Sequence, residues 1–190
     1  MRILDLGCGS SKRKGAIGAD LTRGSAADVI ADMNRRYYPF RDGAFDLIVL
    51  THVIEHITDI PDAMEEIWRI ATPGAAVEGV TPHFSSASSY ADPTHRHHLS
   101  IRTFHFLARP SRKKPRMRRL LECFYRIDEI KYGLPVAQKF QVTDLRITLN
   151  PLLRKLGVES AVNLYPELYE AFFTFVIPAR DILFRLQVIK

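Results

Sequence analysis

Three histidines fall within four positions of DPTHRHHLS, the stretch from Asp92 to Ser100, and all seven in the chain lie between His52 and His105. Imidazole is the side chain that exchanges a proton near neutral pH, and it is also a common metal ligand. A metal reading has some support, because His95 and His97 share a face if the segment is extended. Asp92 could then add an oxygen. Yet no helical HExxH pattern and no cysteine set accompany them, and adjacent His97 and His98 point to opposite sides of a strand, so no metal is expected. The favoured reading is acceptor binding or acid/base work, with His83, Tyr90, Asp92 and His95 as its main candidates and His52 beside them. The competing one is structural: Asp92-Pro93 starts a turn, and the histidines cap or pack.

A second constellation sits near the N-terminus. DLGCGS follows the first apolar run, and Gly7 and Gly9 allow a tight turn and a close ligand approach to the backbone. Amides of such a loop suit an anionic group. The third glycine of a dinucleotide fingerprint is missing, since the chain continues Ser10-Ser11-Lys12. Asp20 ends IGAD, where a carboxylate takes ribose hydroxyls. Asp32 ends VIAD, where it can accept from an exocyclic amine, and Asp5 precedes the glycines, where it can meet an ammonium group. Three aspartates at successive strand ends suit a ligand with amine, ribose and adenine parts. A pyrophosphate would gain little from Asp5 so close to its charge.

The elements that must hold these residues are legible from pattern. RILDLG, AIGADL, the weaker DVIADM and the nearly all-aliphatic FDLIVLTHV read as buried strands. IPDAMEEIWRI puts Ile60, Met64, Ile67 and Trp68 toward one helical face. ATPGAAVEGVTP reads as a Pro-Gly turn and a strand. Strands alternating with helices predict an α/β fold with a doubly wound, mostly parallel sheet. Further on, CFYRIDEIKYG and KFQVTDLRITL read as strands, NPLLRKLG as a short helix, and ILFRLQVIK as a last strand. Tyr165, Leu168, Tyr169, Phe172, Phe173 and Val176 recur at helical spacing, most simply as core or a dimer face.

ILDLGCGS, IGADL, VIADM and FDLIVLTHVIEHI, taken as a set over residues 1–82, resemble the successive motifs of class I S-adenosylmethionine-dependent methyltransferases of the type-11 group. The resemblance implies a seven-stranded Rossmann-like sheet with an antiparallel last strand and extra C-terminal helices. It also implies S-adenosyl-L-methionine as cofactor. Asp5, Gly7 and Gly9 would surround its methionine part, Asp20 the ribose, and Asp32 with Met33 the adenine, while Thr51 and His52 would lie near the sulfonium. Glu55 and His56 would organise the helix after the fourth strand. The interval from Asp5 to Asp20 is short for the family, so the first helix should be stunted or replaced by a loop. The histidine-rich stretch then falls after the fifth strand, where an acceptor should bind. The fourth strand lacks the Asn/Asp-Pro-Pro-aromatic element that presents planar amines, which leaves oxygen, another amine or carbon as the methylated atom. DPTHRHHLSIRTF resembles a subset associated with surface polysaccharide or lipid-linked sugars, so the expected acceptor is a small molecule or a saccharide or lipid-linked saccharide, methylated at oxygen.

The bulk properties frame these readings. The 190 residues are expected to form one domain, with a cofactor-binding core over 1–82, an acceptor-side insertion over 83–120, and C-terminal strands and helices over 121–190. The net charge of +6 is local: Arg109 to Arg119 holds seven basic residues and no acid. That block attracts phosphate, and it admits peripheral membrane contact or a nucleic-acid acceptor as a second, less favoured reading. A third reading is a non-catalytic cofactor-binding scaffold. No apolar run approaches the roughly 18 residues of a membrane span, no secretory pattern opens the chain, and Cys8 and Cys123 form no metal-type pair. A cytoplasmic monomer or homodimer is expected.

Overall fold

The computed structural model describes residues 1–110 and 134–190. Most of the basic block, Cys123 and the strand expected in CFYRIDEIKYG therefore lie outside the described residues. Seven strands form one sheet: β1 (Ile3–Leu6), β2 (Ile17–Asp20), β3 (Val29–Ile30), β4 (Phe45–Thr51), β5 (Ala71–Pro82), β6 (Phe140–Ile147) and β7 (Asp181–Val188). Their order is β3-β2-β1-β4-β5-β7-β6. The first five run parallel, and β7 is antiparallel to both its neighbours.

The burial of each strand explains its sequence. β4 is apolar throughout because both of its faces are covered: Ile48 and Leu50 are fully buried on one, Leu47 and Val49 nearly so on the other. β7 alternates, with Ile182, Phe184, Leu186 and Val188 inward and Leu183, Arg185 and Gln187 outward. In β5 the expected Pro73-Gly74 turn appears as an irregularity inside one strand, since Phe45 pairs with Ala71 and Leu47 already with Ala76.

The connections are shorter than a doubly wound sheet suggests. Residues 7–16, 21–28 and 31–44 hold no helix. A helical crossover takes about a dozen residues or more, and the first two intervals are too short for one. The expected loss of the first helix is thus observed. The loop instead lies across a polar row on the sheet. Asp5, Val49, Glu78 and Arg185 are register neighbours, and Arg13 reaches over to Glu78 at 2.6 Å.

α1 (Ile60–Ile70) supplies the crossover from β4 to β5. Asp59 caps it by accepting the Asp62 amide at 2.9 Å. Ile60, Ala63, Met64, Ile67 and Ile70 are buried, whereas Trp68 lies at the edge and donates to the Ile189 carbonyl. Glu66 on the same helix accepts the Tyr38 amide and binds Arg69, which also holds Asp42, so the loop before β4 is clamped. Among the described residues the remaining helices are α2 (Ala87–Ala91), α3 (Ile101–Leu107), α4 (Pro151–Lys155), α5 (Val158–Leu164) and α6 (Pro166–Phe172). The aromatic stripe splits: Tyr169 is buried, but Phe172, Phe173 and Val176 are exposed. Only part of it is core.

Gly79 sits where the sheet is tightest, because a Cβ there would collide with the Leu50 carbonyl and the Phe184 ring. Gly79→Ala is expected to destabilise the fold by about 1–3 kcal/mol in urea unfolding. A variant as stable as the parent would contradict this packing. A second expectation concerns acid. Asp28 is held below the usual carboxylate range by the Lys12 ammonium and the Gly18 amide. A depressed folded-state value stabilises above the unfolded value and is lost as pH falls through the folded one. Asp28→Asn should therefore be less stable than the parent at neutral pH, and the difference should vanish below the carboxylate range.

Candidate active site

The ends of β1, β2 and β3 build a cradle. Gly7 and Gly9 both have left-handed backbone, with φ of 65° and 51°, which glycine adopts without strain. A side chain at Gly7 would strike Val53, whereas the space beside Gly9 is open. Bare backbone is thus presented at Gly9, where a ligand can approach. Asp5 is buried and accepts the Arg13 amide at 2.7 Å, which folds the loop back onto β1. Asp20 accepts the Gly9 and Thr22 amides, each at 2.8 Å. A carboxylate offers about four acceptor positions, so two remain for ribose hydroxyls. Asp32 accepts the Asn34 amide at 2.9 Å. Met33 beside it is nearly buried, and its carbonyl accepts from the Tyr38 hydroxyl. These residues fit a cofactor with amine, ribose and adenine parts.

On the other side of β4 lies a cleft of about 630 Å³ lined by His52, His56, Pro82, Asp92 and His95, among others. Thr51 ends β4, exposed, and His52 follows it. His52 is the one non-glycine residue with positive φ, 55°, among the described residues. That conformation is costly for a side chain with a Cβ. Two bonds hold it: its amide donates to Val80 at 2.9 Å, and its Nδ1 lies 3.3 Å from Glu55 Oε1. The Glu55 carboxylate pushes the His52 ring up from its ordinary value, against its partial burial. Glu55 itself is buried, and its second oxygen accepts from the Thr81 hydroxyl at 3.0 Å.

The histidines separate into distinct environments. His95 and His56 face each other edge to face, with centroids 4.7 Å apart. His97 reaches the Thr58 carbonyl, and exposed His98 stacks on Tyr90. His83 is fully buried. The Ser85 amide, which can only donate, points at its Nδ1 at 3.1 Å. Its proton therefore sits on Nε2 and is donated to Glu170 at 3.0 Å. Glu170 also accepts the Ile101 amide, so His83 fastens the end of β5 to α3 and α6. It is not among the cleft-lining residues.

Of the site residues expected from sequence, then, the structure gathers His52 and His95 in the cleft with Asp92, while exposed Tyr90 is not among its lining residues. Glu55 and His56 were expected to organise the helix after β4. They do form a 3-10 turn (Ile54–His56), but both also face this region. The role of Thr81 has no sequence signal, because a threonine at a strand end is ordinary.

This sheet order is the fold of S-adenosylmethionine-dependent methyltransferases of known structure. A family model described as a methyltransferase domain, type 11, matches residues 11–77. The match begins past Asp5, Gly7 and Gly9. No curated protein matches the chain. Solved structures do share its fold. An S-adenosylmethionine-dependent methyltransferase from Archaeoglobus fulgidus is 16% identical, with a TM-score of 0.57 over 98% of this chain and 85% of that one. One from Mesorhizobium loti is 14% identical, with a TM-score of 0.54 over 98% and 90%. The [4+2]-cyclase SpnF is 16% identical, with a TM-score of 0.54 over 98% and 74%.

Asp20→Ala removes the acceptor for both loop amides and for a ribose. It is expected to weaken S-adenosylhomocysteine binding by at least about tenfold, roughly 1.4 kcal/mol. Calorimetry on the folded variant checks this; unchanged affinity would remove Asp20 from the cofactor site.

Proposed function

We propose that this enzyme transfers a methyl group from S-adenosylmethionine to a hydroxyl of a saccharide or lipid-linked saccharide acceptor bound in the cleft beside His52 and His95. The observation that carries the reading is position. The cleft opens beyond the C-terminal ends of β4 and β5, next to the cradle formed at β1 and β2. Ligands of such sheets bind beyond those strand ends. When bound, the cofactor supplies an electrophilic methyl on a sulfonium. The chain's own residues must then orient the acceptor oxygen in line and exclude water. The new bond is O–C, the bond broken is S–C, and the hydroxyl proton passes to an imidazole of the cleft. The lining of imidazoles, a carboxylate and the Ser88 hydroxyl suits a polyhydroxylated acceptor. Exposed Tyr90, between the lining residues Ser88 and Ala91 in sequence, adds apolar surface, which suits a lipid carrier.

Among the described residues no helix is long and apolar enough to cross a membrane. A lipid-linked acceptor would then be met at the surface. The basic block that supports a nucleic-acid acceptor lies largely outside the described residues, and no described feature favours that reading.

The test is methyl transfer from labelled cofactor to nucleotide-sugar and lipid-linked acceptors. His52→Ala is expected to lower turnover at saturating cofactor by about 10²–10⁴. Unchanged turnover in both His52→Ala and His95→Ala would overturn the assignment of the cleft. Absence of S-adenosylhomocysteine binding would overturn the enzyme reading altogether.

A further inference from the structure

We infer that Glu55, His56 and His95 form a binding site for a divalent transition-metal ion at the floor of the cleft. One carboxylate oxygen and one nitrogen from each ring lie within 4.8 Å of one another. The three residues come from two separate segments, the turn after β4 and the loop after α2. Their meeting is therefore a product of the fold and not of local spacing.

The hydrogen bonds around the rings prepare them as ligands. His95 Nδ1 lies 3.0 Å from the Ser89 carbonyl, which can only accept. Nδ1 therefore carries the proton, and Nε2 of the neutral ring keeps its lone pair. His56 Nδ1 faces the Thr94 carbonyl at 3.3 Å and the Thr94 hydroxyl at 3.1 Å. That hydroxyl gives its own proton to Asp92 at 2.6 Å, so it too accepts from His56. Both rings thus donate through Nδ1 to a backbone carbonyl and leave Nε2 free of its proton. A ring nitrogen donating to a carbonyl while the other binds the ion is the usual support of metal-bound histidine. Asp92 Oδ2 is 3.9 Å from His95 Nε2 and is in reach as a fourth ligand.

Charge points the same way. Glu55 is 1% exposed, and a buried carboxylate calls for a compensating cation. The ion pair it makes among the described residues is with half-exposed His52, at a long 3.3 Å. An ion on its remaining lone pairs would complete the compensation without breaking the bond from Thr81.

Two imidazoles and a carboxylate suit zinc, iron(II), cobalt(II), nickel(II) or manganese(II). Tetrahedral zinc with bonds of about 2.0–2.1 Å needs ligand atoms roughly 3.4 Å apart, so from separations of up to 4.8 Å the site would close by at most about 1.4 Å on binding. With Glu55, His56 and His95 alone as ligands, a tetrahedral ion keeps one position open toward the cleft, which Asp92 or an acceptor oxygen could take. What the ion does rests on the acceptor reading above: it would bind the acceptor oxygen and lower the pKa of its hydroxyl. Whether it binds does not rest on that reading.

The full chain is stripped with chelator and titrated with cobalt(II) alone, followed by its visible absorption and by calorimetry. One ion per chain is expected, with affinity lowered by more than about 100-fold, beyond an outer-shell loss, in His95→Ala and in His56→Ala. His98→Ala should keep it. Because Glu55→Gln alters a buried network, its folding is checked by circular dichroism, and the two histidine variants carry the test. No stoichiometric ion in the parent, or an ion retained at parental affinity in both histidine variants, overturns the site. S-adenosylhomocysteine binding is measured on the same samples. A chain that binds cobalt(II) but no S-adenosylhomocysteine keeps the metal site and loses the methyltransferase reading; one that binds S-adenosylhomocysteine but no ion does the reverse.

Discussion

The Glu55 carboxyl group is the constraint on which the acceptor side depends. It is an acid taken out of water, which costs several kcal/mol before any partner is counted. Its side chain joins Thr81 at the end of β5 to His52 at the end of β4. Its backbone carbonyl accepts the Arg96 and His97 amides and so ties down the histidine-rich loop. One residue therefore fixes three segments relative to each other. The left-handed backbone of His52 is sustained by the same contacts, because strain of this kind persists only where neighbours over-determine it.

The cofactor side follows a different economy of structure. With no helix between β1 and β2, nothing large is left to support the glycine loop. Two aspartates do it from below: Asp5 through the Arg13 amide and Asp20 through the Gly9 amide. The Arg13 guanidinium then crosses to Glu78 on β5. The loop is held by backbone-directed carboxylates that are also the groups a cofactor would meet.

Much of the fold was legible because burial on both faces writes itself as continuous apolar sequence, as in β4, and burial on one face as alternation, as in β7. The loss of the first helix was legible from the interval between Asp5 and Asp20. The glycine loop was legible as a turn, since Gly7 and Gly9 both adopt left-handed backbone. The histidines were not sorted by sequence. His83 follows β5 as an acceptor residue should, yet it is fully buried against Glu170, a partner 87 positions away. His56 and His95 are likewise brought together across a wide interval, so a search for ligand spacing within Asp92 to His98 finds no metal pattern. The aromatic stripe after Tyr165 carries the same lesson, since periodicity marks a helix face without saying what covers it.

What decides each histidine's chemistry is which nitrogen its neighbours protonate. An amide donor at Nδ1, as Ser85 provides to His83, forces the proton to Nε2 and turns the ring into a donor toward Glu170. A carbonyl at Nδ1, as Ser89 provides to His95, forces the reverse and leaves Nε2 as a Lewis base. Both arrangements come from backbone groups within a few residues of the ring. The fold, through a near neighbour for His83 and His95 and through distant Thr94 for His56, therefore sets the ring tautomer before any ligand arrives. By that rule His83 belongs to the frame, His56 and His95 present basic nitrogens, and His52 is governed by the buried acid beside it.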